Sequence, residues 1–85
     1  MKTKIIVSIT AAILLTGCAS EFEIAASDVP QAVLDSFNSK YPGVKDVEWE
    51  VEKEDGKLYF EAEFKVENKE KEVHFRPDGT FVGEE

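Results

Sequence analysis

Residues 47–66 read VEWEVEKEDGKLYFEAEFKV. Val47, Trp49 and Val51 alternate with Glu48, Glu50 and Glu52; beyond Asp55-Gly56, Leu58, Phe60, Ala62, Phe64 and Val66 alternate with Tyr59, Glu61, Glu63 and Lys65. A period of two sends successive side chains to opposite sides of a strand, so both halves read as strands with one dry and one wet face. Directly opposed residues of an antiparallel pair share a face. A two-residue loop at Asp55-Gly56 sets Val51 against Phe60, Trp49 against Ala62 and Val47 against Phe64, whereas an odd loop would set Val51 against Glu61. The stretch therefore predicts a tight hairpin.

The pattern continues towards the C-terminus. Val73 and Phe75 flank His74, and turn signals at Asn68-Lys69 and Pro77-Asp78-Gly79 predict third and fourth strands. A loop at Asn68-Lys69 pairs Phe64 with Val73 and Ala62 with Phe75; on the wet side it brings Glu63 to His74, Glu61 to Arg76 and Lys65 to Glu72. A three-residue Pro-Asp-Gly loop, with Gly79 in the left-handed position, places Phe81 opposite Phe75.

Before the strands, residues 27–43 read SDVPQAVLDSFNSKYPG. Val29, Val33, Leu34, Phe37 and Tyr41 fall on one helical stripe. Asp28 with Gln31 fits a capping box, Pro30 suits a first turn, and Pro42-Gly43 stops the helix. A helix over 29–40 is expected, and the fold class is α+β: one N-terminal helix packed on a four-stranded antiparallel β-meander. The expected core is Val33, Leu34, Phe37, Val47, Trp49, Val51, Phe60, Ala62, Phe64, Val73, Phe75 and Phe81.

The first residues have a different character. Lys2 and Lys4 precede Ile5 to Leu15, eleven residues without charge, the layout of a secretory signal peptide. As a helix this run rises about 16 Å, too little to span a hydrocarbon core of about 30 Å. The run ends in Leu15-Thr16-Gly17-Cys18, which resembles the lipobox of bacterial lipoproteins, where the cysteine receives a diacylglyceryl group and the chain is cut before it. The resemblance implies a cleaved signal over residues 1–17 and lipid on Cys18. Two or more acyl chains anchor a protein stably where one does not. Cys18 is the only cysteine, so an internal disulfide is excluded and a cysteine zinc site is unsupported. Ala19, rather than Asp, follows it, which in similar Gram-negative lipoproteins favours the outer membrane, facing the periplasm or the cell surface. Residues 18–27 read as lipidated cysteine and spacer, with Phe22 and Ile24 able to pack back on the domain.

Cleavage leaves 68 residues, enough for one small domain, and 8 basic side chains against 18 acidic ones. Such a surface repels nucleic acid and anionic lipid.

The helix from Asp28-Val29-Pro30 through Val33 and Phe37 to Tyr41-Pro42-Gly43, the acidic strands, Asp55-Gly56-Lys57-Leu58-Tyr59, and Val73-His74-Phe75 with Asp78-Gly79 resemble one repeat of the PepSY-like family, which is similar to the beta-lactamase inhibitory protein. The resemblance covers residues 28–82 and assigns residues 28–85 as the domain. It implies a helix-on-sheet fold, export, and in some members inhibition of another protein through the sheet face away from the helices. Here that face would hold Glu48, Glu50, Glu52, Tyr59, Glu61, Glu63, Lys65, Glu72, His74 and Arg76.

Catalysis needs a nucleophile or metal held beside a base, and no such pairing is suggested: His74 is the only histidine, and the serines lie in the spacer or on and beside the helix. A non-enzyme without cofactor, apart from the lipid on Cys18, is expected. The predicted register opposes Glu50 to Glu61 and Glu48 to Glu63, like-charge pairs that each cost up to about 1 kcal/mol. Either a cation offsets this, or solvent and Lys65, His74 and Arg76 relieve it. The functional expectation is a monomeric, lipid-anchored envelope module that binds or inhibits an exported protein through Tyr59, Glu50, Glu61, Glu63, His74 and Arg76. Two alternatives are calcium binding at Glu48, Glu50, Glu61 and Glu63, and a structural lipoprotein without a specific ligand.

Overall fold

The computed structural model describes residues 19–85. The expected signal segment and the expected lipidation at Cys18 lie outside them. Strand β1 (Ala19–Ile24) comes first, then a 3-10 turn at Ala26–Asp28 and helix α1 (Gln31–Lys40). Strands β2 (Glu48–Glu54), β3 (Lys57–Val66), β4 (Lys69–Phe75) and β5 (Phe81–Glu84) follow, forming one antiparallel sheet in the order β1-β2-β3-β4-β5.

The expectation of four strands behind an N-terminal helix is thereby corrected: among the described residues the sheet has five strands, and one short α-helix lies between β1 and β2. The residues read as a spacer form the extra strand. Ile24 lies opposite Trp49 and Phe22 opposite Val51, while Glu21 and Glu23 face Glu52 and Glu50. Phe22 and Ile24 thus join the dry face, and the two glutamates the wet one. The helix begins two residues later than expected, with Pro30 as its N-cap and no side-chain cap. Asp28 is taken up by the 3-10 turn, and Gln31 Nε2 donates to Asp35 Oδ1 at 2.9 Å instead of closing a capping box.

The helix covers one face of the sheet. Phe37 is at the centre, its ring 5.0 Å from Phe64, 5.3 Å from Trp49, 5.4 Å from Tyr41 and 6.4 Å from Phe75, with edge-to-face geometry against Phe64, Trp49 and Phe75. Val29, Val33, Phe60, Ala62 and Val73 complete the buried core; Leu34, Val47 and Val51 pack at its margin. Two core expectations are corrected. Val29, left out, is buried, whereas Phe81 remains 37% exposed because it sits beyond the helix on the edge strand β5, where Lys40 Nζ lies 4.3 Å from its ring centroid.

Turn chemistry fixes the registers. Asp55 and Gly56 have φ of 53° and 78°, as a two-residue hairpin turn of matching twist requires. Val51 pairs with Phe60 and Trp49 with Ala62, as the alternation predicts. The next turn is displaced by one residue: Glu67 and Asn68, not Asn68 and Lys69, take the positive φ values, 53° and 68°. This puts Asn, which tolerates the left-handed region, at the second turn position and spares Lys69 from it. Every β3–β4 pair therefore shifts by two residues and no side chain changes face. Ala62 opposes Val73, Phe60 opposes Phe75, Glu61 opposes His74, Glu63 opposes Glu72 and Lys65 opposes Glu70. The expected pairs Glu63 with His74, Glu61 with Arg76 and Lys65 with Glu72 are corrected accordingly.

The last hairpin holds the expected Phe75–Phe81 pair, with a bulge beside it. Its loop docks on the helix: Ser36 Oγ donates to the Gly79 carbonyl at 2.6 Å. Gly79 has φ of 94°, and a Cβ there would lie 2.6 Å from the Ala32 carbonyl oxygen. Gly56 also has positive φ, but its Cβ would meet nothing within 4 Å. Gly79→Ala should therefore lower unfolding free energy by about 3 kcal/mol and Gly56→Ala by about 1 kcal/mol, measured by urea denaturation of the 19–85 chain. Equal losses would contradict the close docking of this loop on α1.

Candidate cation site on the open sheet face

No described element covers the face opposite the helix, so its side chains shield one another. Glu21 (β1), Glu50 and Glu52 (β2), Glu61 and Glu63 (β3), and Glu72 and His74 (β4) converge from four adjacent strands. Glu61 stands on the central strand, between Glu50 on one side and His74 on the other. It is 1% exposed although its strand neighbours Phe60 and Ala62 are buried on the opposite face. The expectation of a solvated glutamate at this position is corrected. Glu52 is also buried.

His74 Nε2 lies 3.3 Å from Glu61 Oε1, 3.6 Å from Glu52 Oε1 and 3.9 Å from Glu72 Oε2. None of these meets hydrogen-bond geometry, and Glu61 Oε1 is buried without a partner. A buried acceptor left unpaired costs roughly 1–3 kcal/mol, more when charged.

The electrostatics follow from burial and crowding. Loss of water pushes the Glu61 carboxyl up to about 12, helped by the carboxylates of Glu21, Glu72 and Glu63, which can share its proton. Glu50 is raised to about 9 by burial and by Glu21, Glu63 and Glu72. Burial also raises Glu52, partly opposed by His74, and raises Glu63, partly opposed by a hydrogen bond with Glu61. Glu21 moves the other way: burial would raise it, but hydrogen bonds with Glu50 and Glu61 and the charge of His74 outweigh that. At neutral pH the face thus keeps protons on Glu61 and Glu50 and negative charge on Glu21, a system that a positive ion could enter by displacing protons.

The residues singled out from sequence separate into two groups. Glu50, Glu61, Glu63 and His74 are brought together. Tyr59 sits half-buried opposite Glu52, and Arg76 is exposed beyond the end of β4, its backbone N–H donating to the Thr80 carbonyl at 2.8 Å. Glu48 is exposed and belongs to none of the clusters with convergent ligand atoms, so the four-carboxylate calcium set is not assembled as expected. Sequence reasoning left Glu21 off this face, and placed Glu52 and Glu72 on it without singling them out as site residues. The alternation Glu21-Phe22-Glu23-Ile24 is the signal for the first; for the others it is the correct β3–β4 register.

No family model matches the chain, and neither does any curated protein or solved structure. Among the described residues, no helix is long and apolar enough to cross a membrane.

The sign of the pH dependence follows. Glu61 and Glu50 hold protons more tightly folded than unfolded, so their contribution to stability is undiminished below the ordinary carboxyl value of 4.5 and declines as pH rises towards about 9 and beyond. Glu21, lowered, opposes this with stability gained above that value and lost as pH falls through its folded one. Two strongly raised groups outweigh one. In chelator, the 19–85 chain should have a lower urea midpoint at about pH 8.5 than at about pH 5, and Glu61→Gln should raise the midpoint at the higher pH and flatten the difference. A midpoint that rises with pH in the unsubstituted chain would mean that these carboxyls are ionised in the folded state.

Proposed function

We propose that this chain is a lipid-anchored, non-catalytic module of the bacterial cell envelope whose open sheet face binds a cation. The observation that carries the binding reading is Glu61, a carboxyl 1% exposed with Oε1 unpartnered, encircled by further carboxyls on a face that no described element covers. Stability alone favours an apolar or neutral residue at such a position. A positive ion would supply the missing partner and relieve the repulsion between Glu50, Glu61, Glu63 and Glu72 together.

Docking of an exported protein, which the PepSY-like resemblance implies, draws less support from this face. Glu61 offers a macromolecule almost no surface, and exposed Arg76 stands apart from the carboxyl cluster. Hot spots of protein interfaces are rich in Trp, Tyr and Arg, and here the glutamates are accompanied by one half-buried Tyr, with the one Arg apart from them. The non-catalytic reading rests on His74: its Nε2 is surrounded by carboxylates rather than by a hydroxyl or thiol that it could activate. The anchor rests on the basic start, the short apolar run and Leu15-Thr16-Gly17-Cys18.

Each half has its own test. Titration of the metal-free 19–85 chain with Ca2+, Mg2+, Mn2+ and Zn2+ should raise its melting temperature by several degrees with at least one ion, and Glu61→Gln should reduce that rise. No rise with any of them would refute cation binding. In cells of a Gram-negative host, Cys18→Ser should abolish acyl labelling and move the chain from the membrane to the soluble fraction; retention at the membrane would refute the anchor.

A further inference from the structure

The open face contains more than carboxylates, and the imidazole at its centre narrows the choice of ion. We propose that Glu52, Glu61 and His74 form a binding site for a divalent transition-metal ion of the zinc class, a reading that rests on the cation-binding function above and names its ligand.

Three observations converge. The first is spacing. Four-coordinate zinc with bonds of about 2.0–2.1 Å holds neighbouring ligand atoms about 3.4 Å apart. Nε2 of His74 already lies 3.3 Å from Oε1 of Glu61 and 3.6 Å from Oε1 of Glu52, and Glu52, Glu61 and His74 each offer one ligand atom within 4.8 Å of the other two. Little movement separates this arrangement from a coordination shell. The second is the orphan oxygen. Glu61 Oε1, the atom nearest His74 Nε2, is buried and accepts no hydrogen bond. A metal ion satisfies such an atom without a donor.

The third is donor type and support. Calcium and magnesium take oxygen ligands, six or more in most calcium sites, whereas imidazole suits zinc and its first-row neighbours. The three donors come from three adjacent strands, β2, β3 and β4, and Glu61 and His74 are direct cross-strand partners. Backbone pairing therefore fixes their separation, as a preorganised site requires. Glu72, with Oε2 3.9 Å from the same nitrogen, is placed for a fourth ligand, or water fills that position as in open zinc sites.

A protonated His74 acting as an ion-pair partner is the competing account. Its Nε2–H could serve one oxygen, yet the three nearest carboxylate oxygens surround it at 3.3–3.9 Å and none is in hydrogen-bond geometry. One donor shared among three acceptors leaves Glu61 unsatisfied, and a divalent ion does not.

The test uses the 19–85 chain, whose residues hold the complete sheet, helix and core, after its cooperative unfolding in urea has been verified. Calorimetric titration of the metal-free protein with Zn2+ should give one equivalent bound in the micromolar range or tighter. His74→Ala and Glu61→Gln should each weaken it by at least about a hundred-fold, beyond the loss typical of residues that merely support a ligand. Glu48→Gln should leave it unchanged. Cobalt(II) supplies a readout independent of stability: the intense visible absorption of a low-coordinate site should appear with the unsubstituted chain and vanish with His74→Ala at equal folded fraction by circular dichroism. Several weak zinc equivalents insensitive to His74→Ala would overturn the proposal. If Ca2+ or Mg2+ still stabilises the chain through Glu61 in that event, cation binding stands and only the zinc-class site falls; if no ion does, both fall.

Discussion

Among the described residues, the five-stranded sheet has two faces and one ten-residue helix to cover one of them. Phe37 decides which. Its ring meets Trp49 from β2, Phe64 from β3 and Phe75 from β4, so a single side chain on the helix ties three strands into one core. Burial of a phenylalanine contributes on the order of 2–3 kcal/mol, and its edge-to-face neighbours add to that. Gly79 closes the assembly from the other end by bringing the last turn against Ala32 and Ser36. No described element lies over the far side of the sheet.

The far face manages by mutual shielding. Strands about 4.8 Å apart bring opposed side chains close, and glutamate is long enough to lie over its neighbours. Glu61, flanked by Glu50 and His74 on the neighbouring strands, loses water almost entirely. Full ionisation there would cost several kcal/mol, more than any exposed pair on this small protein returns. Lys71 and Glu84, 2.7 Å apart, form such an exposed pair, and they lie at the margin of the sheet, where they do nothing to neutralise the centre. Arg76, the cation that the sequence would have set opposite Glu61, lies two residues past His74 and beyond the end of β4. The cluster consequently retains protons in place of counter-ions.

Much of this was legible in the sequence, for reasons that differ from element to element. The β2–β3 hairpin was determined by strict alternation and by Asp55-Gly56, because slipping one residue would have buried Glu61 against Val51. Phe75 opposite Phe81 followed from Pro77-Asp78-Gly79. Strand β1 was obscured by its brevity: two apolar residues, Phe22 and Ile24, give a weak period, and Phe22 stays 65% exposed at the sheet edge. The β3–β4 turn was ambiguous because Glu67-Asn68 and Asn68-Lys69 both keep the apolar face intact. Periodicity cannot separate registers that differ by two, and only the positive φ demanded at both turn positions, easier for Asn68 than for Lys69 at the second, selects between them. That choice exchanged Arg76 for His74 beside Glu61 and turned a neutralised pair into a set of metal-type donors.

The same strand that was hidden also changes the relation between tether and site. An unfolded spacer over residues 19–26 would reach about 27 Å and let the domain wander above the headgroups. With Ala19 paired to Glu54 and Glu21 to Glu52, the chain is fixed to the sheet from the residue after Cys18 onward. Glu21 belongs to the carboxyl cluster and is three residues from the proposed lipid attachment. The edge strand that begins one residue after the proposed lipid attachment therefore also carries part of the site, and any force or charge that loosens β1 from β2 removes Glu21 from Glu50 and Glu61 at the same time. The proposed binding at the cluster and the proposed seating of the chain at a membrane would thus be two demands on a single hydrogen-bonded ladder.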